Sequence, residues 1–409
     1  MLPPIGTFTR FPNMKKTDLK LGVIGSGGRG GNLARTAHQP GRGARITACC
    51  DVSPATLERN RTDFGADIFT THDYRALLTR DLDAVIIGTP DFLHEEQALA
   101  TIAHGHALYL EKPMALSTAA CDRILAAAKK HKVRLYVGHN MRHMAFVRKM
   151  KALIDEGVIG EVKACWCRHF VGHGGDFYFR DWHAERRYVN SLLLQKAAHD
   201  IDVIHWLCGG YSRLVNALGA LTLYGDLPGR KPAMPGPRRI NVADQDWKLF
   251  PPTKFRGLNH RIDIEDLSSM QMKLDNGVFA TYAQCHYTPD YWRNYTVIGT
   301  EGRLENFGNG EPGTHLRLWN QRASWNEKAD ATYRIPIQRG THGGADPKII
   351  GEFLRYVREG GHTDTNPLAA RESIAAGCAA TESLRHGGIP QKVPAPAPAI
   401  VKWFKNGGA

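Results

Sequence analysis

From Leu19 to about residue 142, short runs of consecutive apolar residues alternate with longer stretches in which apolar positions recur every three or four residues. The runs predict strands at 19–25, 45–51, 67–70, 84–89, 107–111 and 133–138. The stretches between them predict helices at 28–38, 54–63, 73–79, 93–104 and 117–131, the last with Ser117 or Thr118 as its N-cap. Strands without a polar face, joined each time by a helix, imply an α/β architecture with a parallel, doubly wound sheet.

After Arg142 the pattern changes. A helix (145–156) leads to a strand (161–170), then to an aromatic and basic loop (172–190) and a helix from about 191 to 207 that stops at Gly209-Gly210. Alternating apolar and polar positions then predict strands at 214–223, 266–274, 278–288, 293–299 and 302–306, with Asp275-Asn276-Gly277 as a hairpin turn. Strands in series with few helices indicate an α+β domain on an antiparallel sheet. Residues 225–262, rich in Pro, Gly and Arg, form a long insertion, either a lid or an arm toward a neighbouring subunit. Helices at 346–359 and 367–386 follow, and Pro394 to Pro398 reads as a short extended spacer.

Composition narrows the class. The chain has 409 residues, 42% apolar and 23% charged, room for two or three globular domains. No apolar run is long enough to cross a membrane. Residues 1–18 read as an irregular lead-in without the build of a secretory signal, and Met14 is an alternative start. The formal net charge of +13 is spread along the chain, with no basic repeat, zinc-finger spacing or aromatic–basic RNA motif. That speaks against nucleic acid and for a small anionic substrate drawn in electrostatically. Eight Cys are too few for a disulfide scaffold, and Cys165 and Cys167 share one face of a strand without a second pair at zinc-like spacing. They read as reduced thiols of a cytoplasmic protein.

Candidate chemistry begins at Gly25-Ser26-Gly27-Gly28-Arg29-Gly30, which follows the first strand and opens a helix. In a dinucleotide-binding turn Gly25 permits the tight bend, Gly27 lets backbone approach a pyrophosphate, and Gly30 lets helix pack on strand. The helix N-terminus, from Gly28 and Arg29 on, faces the phosphates. Asp51 ends the second strand, where a carboxylate holds the adenosine ribose hydroxyls and repels a 2′-phosphate, which favours NAD over NADP. Thr89 and Pro90 end the fourth strand beside the cofactor. His94, which opens the next helix, either touches the cofactor or caps that helix.

A lysine stands at the carboxyl end of the fifth strand, in Glu111-Lys112-Pro113. Open α/β sheets bind ligands there. Partly desolvated beside a cationic nicotinamide, Lys112 should have a lowered pKa and help deprotonate a substrate hydroxyl.

With these motifs the sequence resembles the glucose-fructose oxidoreductase / inositol dehydrogenase / MocA family over about residues 19 to 390. The likeness rests on Gly25–Gly30, Asp51, Glu111-Lys112-Pro113, Gly138-His139-Asn140, the helix carrying His199, and Val297-Ile298-Gly299-Thr300-Glu301-Gly302. It implies a Rossmann domain (19–142) that binds NAD, with Glu111 and Asn140 among its cofactor contacts. It also implies a C-terminal α+β domain (143–409) with a large open antiparallel sheet that binds substrate and mediates homodimers or homotetramers. Lys112 and His199 match the family's catalytic pair. Many members carry an aspartate four residues before the histidine; here that position is Gln195, and Lys196 follows it. A second lysine at the reacting centre favours developing negative charge, although Lys196 also reads as a surface residue.

The loop from Asp176 to Tyr188 supplies aromatics that stack on sugar rings and cations that grip hydroxyls or anions. Tyr178, Arg180, Trp182 and His183 are its candidate substrate contacts, with Arg142 and Asp200 beside them. The same loop also reads as an aromatic segment packed under the sheet. His199, Asp202 and His205 drift around their helix and do not make a metal site.

Three functions are compatible with these residues. The first is an NAD-dependent oxidoreductase acting on a secondary hydroxyl of a sugar, inositol or glycoside. The second is a redox-neutral NAD-dependent glycosidase working by oxidation, elimination, hydration and reduction. It suits Lys196 and, for an anionic sugar such as a sulfoquinovoside or glucuronide, Arg180, Arg186 and Arg187. The third is a non-catalytic NAD-binding sensor, against which Lys112 and His199 argue.

Overall fold

A computed structural model describes residues 17–240, 246–324 and 326–408; most of the lead-in, residues 1–16, lies outside the described residues. Six parallel strands, β1 (Leu19–Ile24), β2 (Ala44–Cys50), β3 (Phe69–Thr71), β4 (Ala84–Ile87), β5 (Ala107–Leu110) and β6 (Leu135–Val137), lie in the order β3-β2-β1-β4-β5-β6. Helices α1 (Gly28–Ala37), α2 (Pro54–Phe64), α3 (Tyr74–Leu78), α4 (His94–Ala103) and α5 (Thr118–His131) connect them. β4 is wholly buried, as expected of a strand covered on both faces. Ser117 caps α5 by accepting from the amide of Ala120. The strand order reverses between β1 and β4, and a crevice opens at their carboxyl ends, where doubly wound sheets bind ligands.

Helix α6 (Ala145–Asp155) leads into a nine-stranded sheet. Its members are β7 (Val162–Val171), β8 (Ser212–Ala220), β9 (Leu267–Leu274), β10 (Phe279–Cys285), β11 (Tyr291–Gly299), β12 (Arg303–Phe307), β13 (His315–Trp319), β14 (Ala331–Arg334) and β15 (Gln391–Lys392). The order is β14-β13-β12-β11-β7-β10-β9-β8-β15, antiparallel except for the β7–β10 pair. β9 and β10 form the hairpin turned at Asp275-Asn276-Gly277. One sheet face is buried under helices. On the other, Trp166, Leu218 and Phe279 are exposed by half or more.

Several connections differ from the sequence-based expectations. The expected loop 172–190 holds single-turn helices, α7 (Phe177–Arg180) and α8 (Arg186–Val189), around a 3-10 turn at Trp182–Ala184. The expected helix 191–207 is two, α9 (Leu192–Gln195) and α10 (Ala198–Cys208), and Lys196 stands at the break. Gly209, in the left-handed region, ends α10 as its sequence position suggests. β13 and β14 were not expected, because their runs of four or five residues are too short for a clear alternation. Helices α11 (Thr341–Glu359), kinked at His342–Gly344, and α12 (Pro367–Arg385) return to the first half of the molecule. Ile349, Ile350 and Phe353 of α11 share a core with Leu21, Tyr109 and Tyr136. A last helix, α13 (Pro398–Lys405), begins where the extended spacer ends, with Pro398 at its first position.

The insertion lies on the aromatic segment of its own chain. Tyr224 stacks on Phe179 at 4.0 Å between ring centres, and Phe255 and Leu258 are buried with them. The Asn259 side-chain amide donates to the carbonyl of Asp181 at 2.8 Å. Residues 241–245 of the insertion are outside the described set.

Candidate active site

The nucleotide-facing end of the crevice is built mostly from backbone. Gly25 has φ +77°, and its amide donates to the carbonyl of Cys50 at 2.9 Å. A Cβ at Gly30 would stand 2.1 Å from the carbonyl oxygen of Gly25, so only glycine permits this approach of helix to turn. The N-terminus of α1 has no side-chain cap, which leaves its first amides for an anion. Asp51 accepts from the amide of Ser53 through Oδ1 at 2.9 Å, while Oδ2 lies 3.5 Å from where a Cβ at Gly27 would be. Gly25, Gly27, Asp51 and Pro90 help line a cavity of about 200 Å³ with Val52, which is largely exposed. Uncapped amides beside a carboxylate fit a dinucleotide whose pyrophosphate meets the helix and whose ribose meets Asp51.

Gly28, Thr89 and Pro90 border both this cavity and a larger one of about 490 Å³. Thr89 donates its hydroxyl to Gln97 at 2.6 Å. Arg29 and Asn140 also line the larger cavity, tied to one buried carboxylate: Arg29 reaches Asp346 at 2.6 Å and Asn140 reaches it at 3.3 Å. Arg29 is further paired with Glu111 at 2.9 Å. His94 follows neither sequence expectation. It is buried, its Nδ1 is 2.7 Å from the carbonyl oxygen of Pro113 and its Nε2 is 3.0 Å from that of Thr89. It therefore braces the ends of β4 and β5 against each other, lines neither cavity and does not cap its helix.

The larger cavity brings the two expected reactive groups together. Lys112 follows β5, and its Nζ donates to the carbonyl of Gln195 at 3.3 Å. Burial pushes its ammonium down from the ordinary lysine value; Tyr178 and Asp91 oppose this and Lys196 adds to it. His199, in the first turn of α10, lines the same cavity with a buried Nδ1 that has no partner. Burial, and then the nearby Lys112 charge, hold it well below the ordinary histidine value, so it is a neutral proton acceptor. Gln195, at the position where many members of the resembled family carry aspartate, lines the cavity with Asp91, its Oε1 buried and without a partner.

Lys196 lines the cavity too, with its ammonium 5.3 Å from the ring centre of Tyr178 and 5.5 Å from that of Tyr291. Tyr178, Trp182 and His183 are further lining residues; Trp182 stacks on His183 at 3.7 Å. Three expected substrate contacts lie elsewhere. Arg142 is buried in a two-pronged pair with Asp202, both bonds 2.7 Å, because a buried guanidinium needs a carboxylate partner. Asp200 lies behind the wall, fully buried, 3.0 Å from Nε of Arg293 and 3.1 Å from Nδ1 of His169. Arg180 turns from the cavity toward Asp176, 3.6 Å away, and lies against Gly257 of the insertion. Arg186 and Arg187, suggested as anion contacts, pair instead with Glu265 and Glu185. His205 of the drifting trio faces Ser212, and no metal-poised group of three occurs among the described residues.

Sequence reasoning missed Asp91, Tyr291, Arg293 and Arg239, all of which line the larger cavity. Asp91 directly follows Thr89-Pro90 and has a buried carboxylate oxygen without a partner. Burial pushes its carboxyl up to about 7 against the opposing charge of Lys112. Tyr291 and Arg293 share a face of β11, and an arginine on a strand's buried face was the available signal.

Comparisons with known proteins agree with this architecture. Residues 19–139 match the family described as "Oxidoreductase family, NAD-binding Rossmann fold", and residues 147–305 match the GFO/IDH/MocA C-terminal domain. The chain is 31% identical over 193 residues to an inositol 2-dehydrogenase of Ralstonia nicotianae, spanning 47% of this chain and 55% of the relative. It is 30% identical over 206 residues to a 2,7-anhydro-N-acetylneuraminate hydratase of Mediterraneibacter gnavus, spanning 48% and 51%. Both matches thus cover about half of each relative's length. A solved levoglucosan dehydrogenase in complex with NADH and levoglucosan shares the fold at TM-score 0.73 and 20% identity, over 92% of this chain and all of that one. With both halves matched across more than half its length, the chain belongs to the Gfo/Idh/MocA family of oxidoreductases and carries that family's NAD-binding Rossmann domain.

Proposed function

We propose that this chain is an NAD-dependent oxidoreductase acting on a secondary hydroxyl of a sugar, inositol or glycoside. The observation that carries the reading is the convergence of Lys112 and His199 in one cavity that meets the glycine turn at Gly28 and Thr89. A nicotinamide dinucleotide bound at the glycine turn would supply the hydride acceptor and donor that no side chain of the cavity offers. Lys112, its ammonium destabilised by burial, hydrogen-bonds the reacting hydroxyl and takes its proton. His199, neutral and with a free ring nitrogen, holds or relays that proton. Lys196 stabilises negative charge that develops on oxygen. Tyr178 and Trp182 offer flat apolar faces to the C–H side of a ring. The proposed roles of Asp51, Thr89, Glu111 and Asn140 are to seat the dinucleotide. The inositol 2-dehydrogenase and levoglucosan dehydrogenase relatives support this substrate class.

A second reading, redox-neutral glycoside cleavage or hydration, is favoured by one specific observation. The cavity holds more proton-transfer groups than a dehydrogenase needs: Asp91, Tyr178, Lys196 and Tyr291 besides Lys112 and His199. The hydratase relative supports it. An anionic sugar would be met by Lys196 and Arg239 rather than by the arginines of the aromatic segment. On either reading residues 19–142 bind the cofactor, the remainder binds substrate, and the exposed sheet face with Trp166, Leu218 and Phe279 suits a homodimer or homotetramer.

The deciding experiment offers nitrophenyl glycosides of neutral and acidic sugars to the purified protein, following aglycone release and NADH absorbance. Free sugars and inositols with added NAD follow. NADH formed in proportion to substrate consumed supports the dehydrogenase. Aglycone released over many turnovers without net NADH supports the redox-neutral enzyme. Neither signal from either set removes both.

A further inference from the structure

Tyr291 opens β11, and Arg293 stands two residues on, along the same face. Arg293 donates from Nη1 to the Tyr291 hydroxyl at 2.6 Å. The guanidinium is itself fixed from behind: its Nε lies 3.0 Å from Oδ1 of Asp200, which also accepts from the Tyr295 hydroxyl at 2.5 Å. A guanidinium only donates, so the Tyr291 oxygen serves it as an acceptor and the phenol's own proton is not engaged in that bond. Lys196, from the break between α9 and α10, brings a second cation to the same ring at 5.5 Å. From β7, His169 meets it edge-on at 5.6 Å, with its imidazole held neutral by burial and by Arg293. From α7, Tyr178 shares the Lys196 ammonium. Tyr291 thus faces two cations, while the carboxylate of Asp200 stands behind Arg293. Burial opposes ionisation of its phenol, but Arg293 and Lys196 outweigh it and draw the group below the ordinary tyrosine value. Lys112 enters the same cavity from the parallel sheet, Tyr291 from the mixed one.

We propose that Tyr291 is a second proton-transfer group of this cavity, serving the substrate carbon next to the carbinol carbon that Lys112 and His199 serve. The assignment rests on the function proposed above. In a substrate whose secondary hydroxyl has become a ketone, the oxidant being the NAD of the function proposed above, the C–H on the adjacent carbon is acidic. The Tyr291 phenolate takes that proton. The electron pair of the broken C–H bond forms the carbon–carbon double bond of an enolate, whose oxygen lies within the field of Lys112 and Lys196. Return of the proton from the phenol restores the ketone. Where the substrate carries a leaving group one carbon further on, the same proton removal precedes its departure.

Two measurements test this. The first needs no substrate: the near-ultraviolet phenolate absorbance of the whole protein is followed against pH. The expected result is a first phenol ionisation below the ordinary tyrosine range, drawn down by Arg293 and Lys196. It is absent from Tyr291→Phe and moves upward in Lys196→Met. Phenylalanine keeps the ring beside His169, and matched thermal melting confirms that each variant is folded. The second measurement supplies NAD with myo-inositol, nitrophenyl glucoside or nitrophenyl glucuronide in heavy water. Deuterium at the carbon beside the oxidised carbinol is compared with NADH formed. The ratio of deuterium uptake to hydride transfer is expected to fall about 100-fold in Tyr291→Phe. An unchanged first ionisation in Tyr291→Phe, or an unchanged ratio, overturns the assignment. If the wild type neither forms NADH nor releases aglycone with any probe, the failure belongs to the proposed function, and the titration alone decides Tyr291.

Discussion

The two ends of the crevice are made differently. The nucleotide-facing end uses backbone amides, the Asp51 carboxylate and short segments at the ends of the parallel strands. Its charges are largely matched, as Arg29 is by Glu111 and Asp346. The reacting end is assembled from side chains on separate segments: Asp91, Lys112, Tyr178, His183, Lys196, His199 and Tyr291. Several of its buried polar atoms have no partner, among them Oδ2 of Asp91, Nδ1 of His183 and Nδ1 of His199. Buried polar atoms are ordinarily satisfied, so orphans gathered in one cavity mark a surface shaped for a polar ligand. A site made of backbone tolerates side-chain change but not a Cβ at the wrong place. A site made of convergent side chains depends on each one's direction and protonation.

The sharpest separation of the two ends comes from Lys112→Met. NADH formation with a substrate found by the assay above is expected to fall about 1,000-fold. Lys112→Arg is not expected to restore it, because a guanidinium stays protonated. Steady-state kinetics of the two variants check this.

Arg142→Ala tests whether a buried cation near the cavity belongs to its chemistry or to its frame. It leaves Asp202 buried with only the His139 imidazole, 3.6 Å away, in place of its guanidinium, so a loss of about 4 kcal/mol in unfolding free energy is expected by denaturant titration. Activity per folded molecule should change far less. A collapse of activity at full stability would return Arg142 to the substrate.

Gly30→Ala attacks the backbone-made end. Its Cβ would collide with the Gly25 carbonyl oxygen at 2.1 Å, forcing helix and turn apart. A loss of about 3 kcal/mol is expected, together with loss of NAD binding in calorimetry.

Asp91→Asn tests the charge of the reacting end by pH. Folded Asp91 keeps its proton up to about 7, whereas an unfolded aspartate loses it near ~4. The folded state therefore binds more protons between these values, and this group's contribution to stability is lost as pH rises through about 7. Asparagine removes that loss. The variant should match the wild type below pH ~4 and exceed it by about 4 kcal/mol above pH ~7, in thermal melts across that range. The reverse trend would mean that the Lys112 ammonium holds Asp91 ionised.

How much of this was legible in the sequence depended on how local each feature is. The glycine turn, Asp51 and Lys112 follow from strand ends, and in a doubly wound sheet a strand end has only one place to be. His199 and the aromatic segment were legible as residue types near the site. Their directions were not: Arg142, Asp200 and Arg180 carry plausible substrate chemistry, yet each turns to a buried carboxylate, a buried guanidinium or the insertion. Asp91 lay one residue past the expected cofactor contacts, and Tyr291 showed only as part of an alternating strand.

By itself, then, the sequence determined the parallel sheet, the NAD-binding turn and the residue types of the reacting pair, since apolar periodicity, glycine sterics and strand-end position act over a few residues. Only the tertiary structure decided which cations face the cavity. A buried charge goes to whichever opposite charge the fold brings within reach, and Asp202, Glu185 and Glu265 claim Arg142, Arg187 and Arg186. Lys112 and Lys196 instead meet a backbone carbonyl and two tyrosine rings, and both remain directed at the cavity.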